Sequence, residues 1–270
     1  MKRHNRSLRF LVGTVSLVAL MSSADAADIA NKAPVQPVTA PAPISNWTFQ
    51  ITPYLWAAGL DGDVRLGPNA PLTHVDASFG DILDHLRFAA MATVEVRYAR
   101  FGVVADLIYL SLAASATGPF GFLNAQLKDK TFIATVSGAY RAVDAGSWWL
   151  DLEAGARVWA MDVDLGFSVV PLGVSRNYSV SKSWADPIIG IRARAYLNQQ
   201  FFIQGYADVG GFGVASKSTW QLAGLIGYQY SPTISFIAGY RYMAVDYNRD
   251  GFLWDVSMSG PVFGATFRLN

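Results

Sequence analysis

From Trp148 to Val158 the chain alternates with a period of two. Trp148, Leu150, Leu152, Ala154, Ala156 and Val158 form one face, and Trp149, Asp151, Glu153, Gly155 and Arg157 the other. That period belongs to a strand with one apolar side. The pattern recurs in nine further segments: Trp47–Ala57, Phe88–Tyr98, Gly102–Leu112, Thr131–Arg141, Pro187–Leu197, Phe201–Gly211, Trp220–Tyr230, Ile234–Ala244 and a last strand ending the chain at Phe263–Leu269. Most are close to the 9–11 residues, roughly, of a tilted membrane strand. In each the apolar face is predicted to point outward and the charged face inward. This arrangement suits a barrel in lipid better than a sandwich in water.

The connections form a second pattern. Residues 99–101, 143–147, 198–200 and 231–233 are short turns, whereas 58–87, 113–130, 164–186, 212–219 and 245–256 are long. Short turns at one end and long loops at the other, with an even strand count, predict a closed antiparallel up-and-down transmembrane β-barrel. Ten strands fit best, with eight or twelve as alternatives. A hairpin of Leu60–Leu66 with Thr73–Phe79 is predicted to project beyond the membrane. Aromatic residues near strand ends (Trp47, Tyr98, Trp148, Tyr196, Phe201, Tyr228, Tyr230 and Phe267) are expected to form girdles at the interfaces.

Composition agrees with a membrane barrel. The chain is 52% hydrophobic and 13% aromatic with 15% charged residues, whereas a soluble domain has about 25% charged. At the N-terminus, Lys2, Arg3, Arg6 and Arg9 precede the apolar run Phe10–Leu20 and the small residues Ala24-Asp25-Ala26. This is the pattern of a signal peptide over residues 1–26, its apolar run being too short to span a bilayer. Residues 27–46, with Pro34, Pro37, Pro41 and Pro43, read as an extended periplasmic lead-in, and 47–270 as the barrel. Cysteine is absent, which excludes disulfides and thiolate chemistry. Loss of the leader's four basic residues and Asp25 takes the net charge from +1 to −2. Nucleic acid, which calls for a basic face, is not an expected partner.

Two constellations are candidates for function. The first is the inward charge: Arg97, Arg141, Arg157, Arg192, Arg194, Arg241 and Arg268 against Glu95, Asp106, Asp151, Glu153 and Asp208. Isolated charges in a narrow lumen cost several kcal/mol each, so these groups are expected to interlock. The interlocked network would plug the barrel; a pore with slight anion preference is the alternative. The second is the stretch His74–His85, which adds Asp76, Ser78, Asp81 and Asp84. A serine hydrolase or a divalent metal site could be drawn from these types, but the spacing is diagnostic of neither. The preferred reading is a short amphipathic helix capped by Ser78, with Phe79, Ile82, Leu83 and Leu86 against the barrel mouth. Gly59-Leu60-Asp61-Gly62-Asp63 lacks the ligand pattern of a calcium loop and reads as a turn. No cofactor or metal is expected, and the chain is not expected to be an enzyme.

The chain resembles the small outer-membrane barrel proteins of Gram-negative bacteria. Its leader and the lead-in ending Ala42-Pro43-Ile44-Ser45-Asn46-Trp47 are similar to the small porin-like proteins of alphaproteobacteria. Pro53-Tyr54-Leu55-Trp56-Ala57-Ala58-Gly59-Leu60-Asp61-Gly62-Asp63-Val64 is similar to the first-strand signature of a poorly characterised barrel family. The resemblance implies a place in the outer membrane, outer-membrane lipids as neighbours, and delivery by the barrel insertion machinery through the C-terminal strand. That strand departs from the usual terminal aromatic, ending Phe267-Arg268-Leu269-Asn270. A structural envelope role with surface-exposed loops is the leading expectation. A channel for small solutes comes second and a lipid-modifying enzyme third.

Overall fold

The computed structural model describes residues 47–117, 123–169, 172 and 174–269; the expected signal peptide and lead-in lie outside the described residues. Twelve strands and one short helix follow in chain order. They are β1 (Trp47–Trp56), β2 (Gly59–Leu66), β3 (Thr73–Ala77), α1 (Phe79–Asp84), β4 (Leu86–Tyr98), β5 (Phe101–Thr117), β6 (Leu123–Asp144), β7 (Trp148–Val169), β8 (Val174–Tyr196), β9 (Phe201–Gly210), β10 (Ser218–Gln229), β11 (Ile234–Arg249) and β12 (Phe252–Leu269).

Ten of these strands close a ring. The sheet runs β1, then β4 through β12 in order, and β12 returns to β1 with Phe49 opposite Leu269 and Trp56 opposite Val262. All pairings are antiparallel, and closure removes the free edges that a membrane would not tolerate. Beyond Val262, β12 pairs with β2 rather than β1, and β3 hangs on β2. The hairpin predicted between Leu60 and Phe79 is therefore present, within two residues of its expected bounds. Both described ends of the barrel strands, Trp47 and Leu269, lie at the end of the short turns.

The outward faces are dressed for lipid. At the turn end, Trp47 packs on Tyr98, Phe101 on Tyr140, and Phe201 on Tyr228. A second aromatic row lies higher, where Phe88 packs on Tyr109 and Trp220 on Tyr242. Eight to ten residues separate the rows along a strand, as from Phe132 to Tyr140 or Phe88 to Tyr98. At 3.3 Å per residue and a tilt near 40°, the band is about 20–25 Å tall, close to the height of a barrel's lipid-facing belt. Tyr196 does not join the girdle as expected. It lies on the lumen side, edge-on to Phe202, because it shares the register of Arg192 and Arg194.

The larger correction concerns the long connections. Residues 113–117, 123–130, 164–169 and 174–186, expected in outer loops, are strand, as are 245–249 and 252–256. β6, β7 and β8 run for 22, 22 and 23 residues, twice the length a membrane needs. Their alternation persists above the upper aromatic row but changes sign. There the outward positions become polar: Lys128, Lys130, Asp162, Asp164, Ser179 and Ser181. The inward ones become apolar: Trp159, Met161 and Trp184 are all buried. With the surroundings changed from lipid to water, the apolar residues belong inside.

Candidate functional site

The lumen is filled in layers. Nearest the turn end, Asp151 is fully buried and is shared by three arginines. Arg97 donates to Oδ2, Arg141 donates to Oδ1 at 2.6 Å, and Arg192 reaches Oδ2 at 3.5 Å. Glu95 bridges Arg97 at 2.8 Å and Arg192 at 2.9 Å, and Arg192 contacts Glu153 at 3.0 Å. Glu153 also accepts from the Ser137 hydroxyl at 3.0 Å. The Arg141 guanidinium lies 4.2 Å over the Trp149 ring.

Above it a second belt crosses the barrel from β7 to β1. Arg157, with no exposed surface, donates to Asp208 at 2.7 Å, to Thr219 at 2.9 Å and to Thr135 at 3.1 Å. Asp208 also accepts from the Tyr206 hydroxyl at 2.6 Å and from the Gln221 amide at 2.7 Å. The Gln221 carbonyl accepts from Arg241, which reaches on to Asp106 at 2.8 Å and the Tyr54 hydroxyl at 3.0 Å. Tyr54 and Thr93 both donate to Asp106, closing the belt against β1 and β4.

A third layer is apolar. Arg241 stacks 4.8 Å from the ring of Trp56, which begins a cluster with Ile108, Ile133, Trp159, Met161, Trp184, Met243, Val245, Tyr247 and Phe252. Trp184 is stacked between Trp159 at 5.6 Å and Tyr247 at 4.2 Å. A cavity of about 140 Å³ lies among the two polar layers, with Glu153, Arg192, Arg194, Gln204, Tyr206 and Arg241 among its walls. It is roomy enough for several waters.

Ten of the twelve lumen charges predicted from sequence are thus drawn into ion pairs. The other two differ. Arg194 lies against neutral partners, and Arg268, half-buried near the chain end, forms no ion pair among the described residues. Of the neutral members of the belt, Tyr54, Thr135 and Gln221 lie on the inward faces expected from the alternation, whereas Thr219 falls in the stretch 212–219 expected to be a loop. Sequence reasoning missed the apolar layer altogether. Asp186, assigned to a loop, is fully buried and accepts from the Ser216 backbone at 2.7 Å and hydroxyl at 2.6 Å, tying β8 to the β9–β10 connection.

The His74–His85 stretch does not assemble as one site. His74 Nδ1 lies 2.9 Å from Asp63 and Nε2 3.5 Å from Asp61 across the exposed β2–β3 hairpin. The hydrogen bond to Asp63 and the surrounding carboxylates raise the His74 pKa. His85 lies against the Asp81 backbone carbonyl at 2.7 Å. Ser78 caps α1 in a reciprocal box with Asp81, whose carboxylate accepts its hydroxyl at 2.6 Å and its backbone N–H at 2.9 Å. Those bonds hold the Asp81 pKa low. The serine is therefore engaged as a cap, with a carboxylate rather than an imidazole as its partner. No residue of α1 is fully buried, and Leu83 is exposed.

No protein-family model matches the chain, and no curated protein matches its sequence. Solved structures do match in fold. The outer membrane protease OmpT of Escherichia coli superimposes with a TM-score of 0.50 at 8% identity, over 82% of this chain and 97% of that one. The translocator domain of the autotransporter NalP of Neisseria meningitidis gives 0.38 at 10% identity, over 83% and 89%. Ail, the attachment invasion locus protein of Yersinia pestis, gives 0.34 at 12% identity, over 84% and 100%. The fold is that of a Gram-negative outer-membrane barrel. At such identities the likeness concerns the fold alone.

Proposed function

We propose that the chain is a structural protein of the outer membrane whose lumen is closed, with the turn end toward the periplasm and the extended hairpins outside. One observation carries the reading. Two hydrogen-bonded charge layers and an apolar layer follow one another along the lumen, and the ion pairs are buried and shared rather than arrayed along an open wall. A ten-stranded barrel is only slightly wider than the eight-stranded kind that its own side chains fill. In this reading the role is mechanical and adhesive rather than catalytic. Outer-membrane lipids surround the aromatic belt, and the outward Phe263, Phe267 and Leu269 of β12 present the strand that the insertion machinery engages. The segment Pro53–Val64 and the proline-rich lead-in support the finer placement among alphaproteobacterial-type barrels.

A narrow channel is the second reading, favoured by the polar cavity between the layers. Planar-bilayer recording of the refolded protein separates the two. Insertion without discrete conductance is the expected result; steady single-channel steps would overturn the closed lumen.

A further inference from the structure

We propose that the lumen holds a small monovalent anion of halide size, bound beside Arg194. The argument begins with charge. The five lumen carboxylates (95, 106, 151, 153 and 208) are all engaged by arginines other than Arg194, and so is Asp144 at the turn end, 3.7 Å from Arg141. Arg194 pairs with no carboxylate among the described residues. Its Nε and Nη2 both donate to one neutral atom, Gln204 Oε1, at 3.0 and 2.6 Å. Its guanidinium lies 4.1 Å from the Phe202 ring and 5.6 Å from that of Trp149.

A cation held inside a protein without a counter-charge is costly. Ring faces, an amide oxygen and the neighbouring Tyr196 hydroxyl orient the guanidinium but do not neutralise it. Arg194 and Gln204 line the 140 Å³ cavity, together with Gln50, Thr52 and Thr266. The space admits a halide together with a few waters, and amide and hydroxyl groups in its wall can donate to an anion. A monovalent ion in this space supplies the counter-charge that the Arg194 guanidinium lacks.

The test uses the full mature barrel in detergent micelles at constant ionic strength, with chloride or bromide replacing bulky gluconate. Binding to the folded state alone raises the unfolding midpoint with concentration. A rise of about 5 °C at saturating halide is expected for the natural chain. Arg194→Gln is expected to show no halide dependence. Gln204→Glu provides a second route, because it places a carboxylate at the guanidinium; it should unfold at a higher temperature and ignore halide. A bromide anomalous peak beside Arg194 in crystals would locate the ion. Equal halide response in all three proteins, or none in the natural chain, overturns the proposal. The inference rests on the proposed layering but not on closure. Single-channel steps would refute the plug while leaving the halide dependence in place.

Discussion

Arg157 and Asp208 offer the sharpest test of whether the buried network holds the barrel together. Both side chains are fully buried and meet at 2.7 Å. Replacing Arg157 with Met preserves most of the volume but leaves the Asp208 carboxylate without its cation. Removing one member of a buried pair costs about 3–5 kcal/mol. Asp208 keeps the Tyr206 hydroxyl and the Gln221 amide, at 2.6 and 2.7 Å, which places the expected loss at the lower end, about 3 kcal/mol. Asp208→Asn strands the cation instead, with Thr135 and Thr219 as its neutral partners, and should cost a similar amount. In the double variant neither charge remains. It should be more stable than the sum of the single losses predicts by about 2 kcal/mol. The measurement is equilibrium urea unfolding in micelles, followed by tryptophan fluorescence and by the gel shift between folded and unfolded barrel. Strict additivity, within about 0.5 kcal/mol, would show that the pair does not act as a unit and would refute the reasoning.

Two further outcomes follow from the layers above. Burial pushes the Asp129 carboxyl, above the upper aromatic row, up to about 6, with the Asp162 charge adding to the rise and the Thr131 hydroxyl opposing it. A raised folded-state value stabilises the barrel below the unfolded pKa, near 4, and that stability is lost as pH rises to about 6. Asp129→Asn should remove this slope and gain about 2 kcal/mol at pH 7 after allowance for partial exposure, as read from urea midpoints at pH 4 and 7. In the apolar layer, Trp184→Ala should cost about 3–5 kcal/mol, whereas Trp184→Phe should cost far less. The indole N–H of Trp184 is buried and finds no acceptor among the described residues, so Phe also removes an unsatisfied donor. Neither variant should conduct in a bilayer, because the Arg157–Arg241 belt lies beneath; conductance in Trp184→Ala would make the aromatic layer the gate.

The lipid-facing half of the barrel was legible because each strand there obeys one rule, apolar out and charged in. Asp151 and Glu153 could be assigned to the lumen from the phase of Trp148 and Leu150 alone, and the structure puts both there, buried. Pairing was less legible. A period of two says which residues face inward but not which arginine meets which carboxylate, a matter of barrel curvature and strand stagger. Hence Arg194, indistinguishable from Arg192 in sequence, lies against Gln204 while Arg192 contacts three carboxylates.

The outer half was misread for a different reason. A search for apolar-out alternation ends where the surroundings turn from lipid to water, and the strand then looks like a loop. In β7 the odd positions carry Asp151, Glu153 and Arg157 and then, without a change of phase, Trp159, Met161 and Val163, all buried. The even positions pass from Leu152 and Val158, both exposed, to Asp162 and Asp164. The sign change falls on the second aromatic row, Phe88 with Tyr109 and Trp220 with Tyr242. Inversion of polarity within an unbroken strand therefore marks one membrane boundary independently of the aromatic residues. It also sets the order of the lumen. The charged layers lie at lipid level, where an apolar interior would offer no contrast to the surroundings and would leave alternative registers equally favourable. The apolar layer lies above, where water supplies the hydrophobic driving force that lipid cannot.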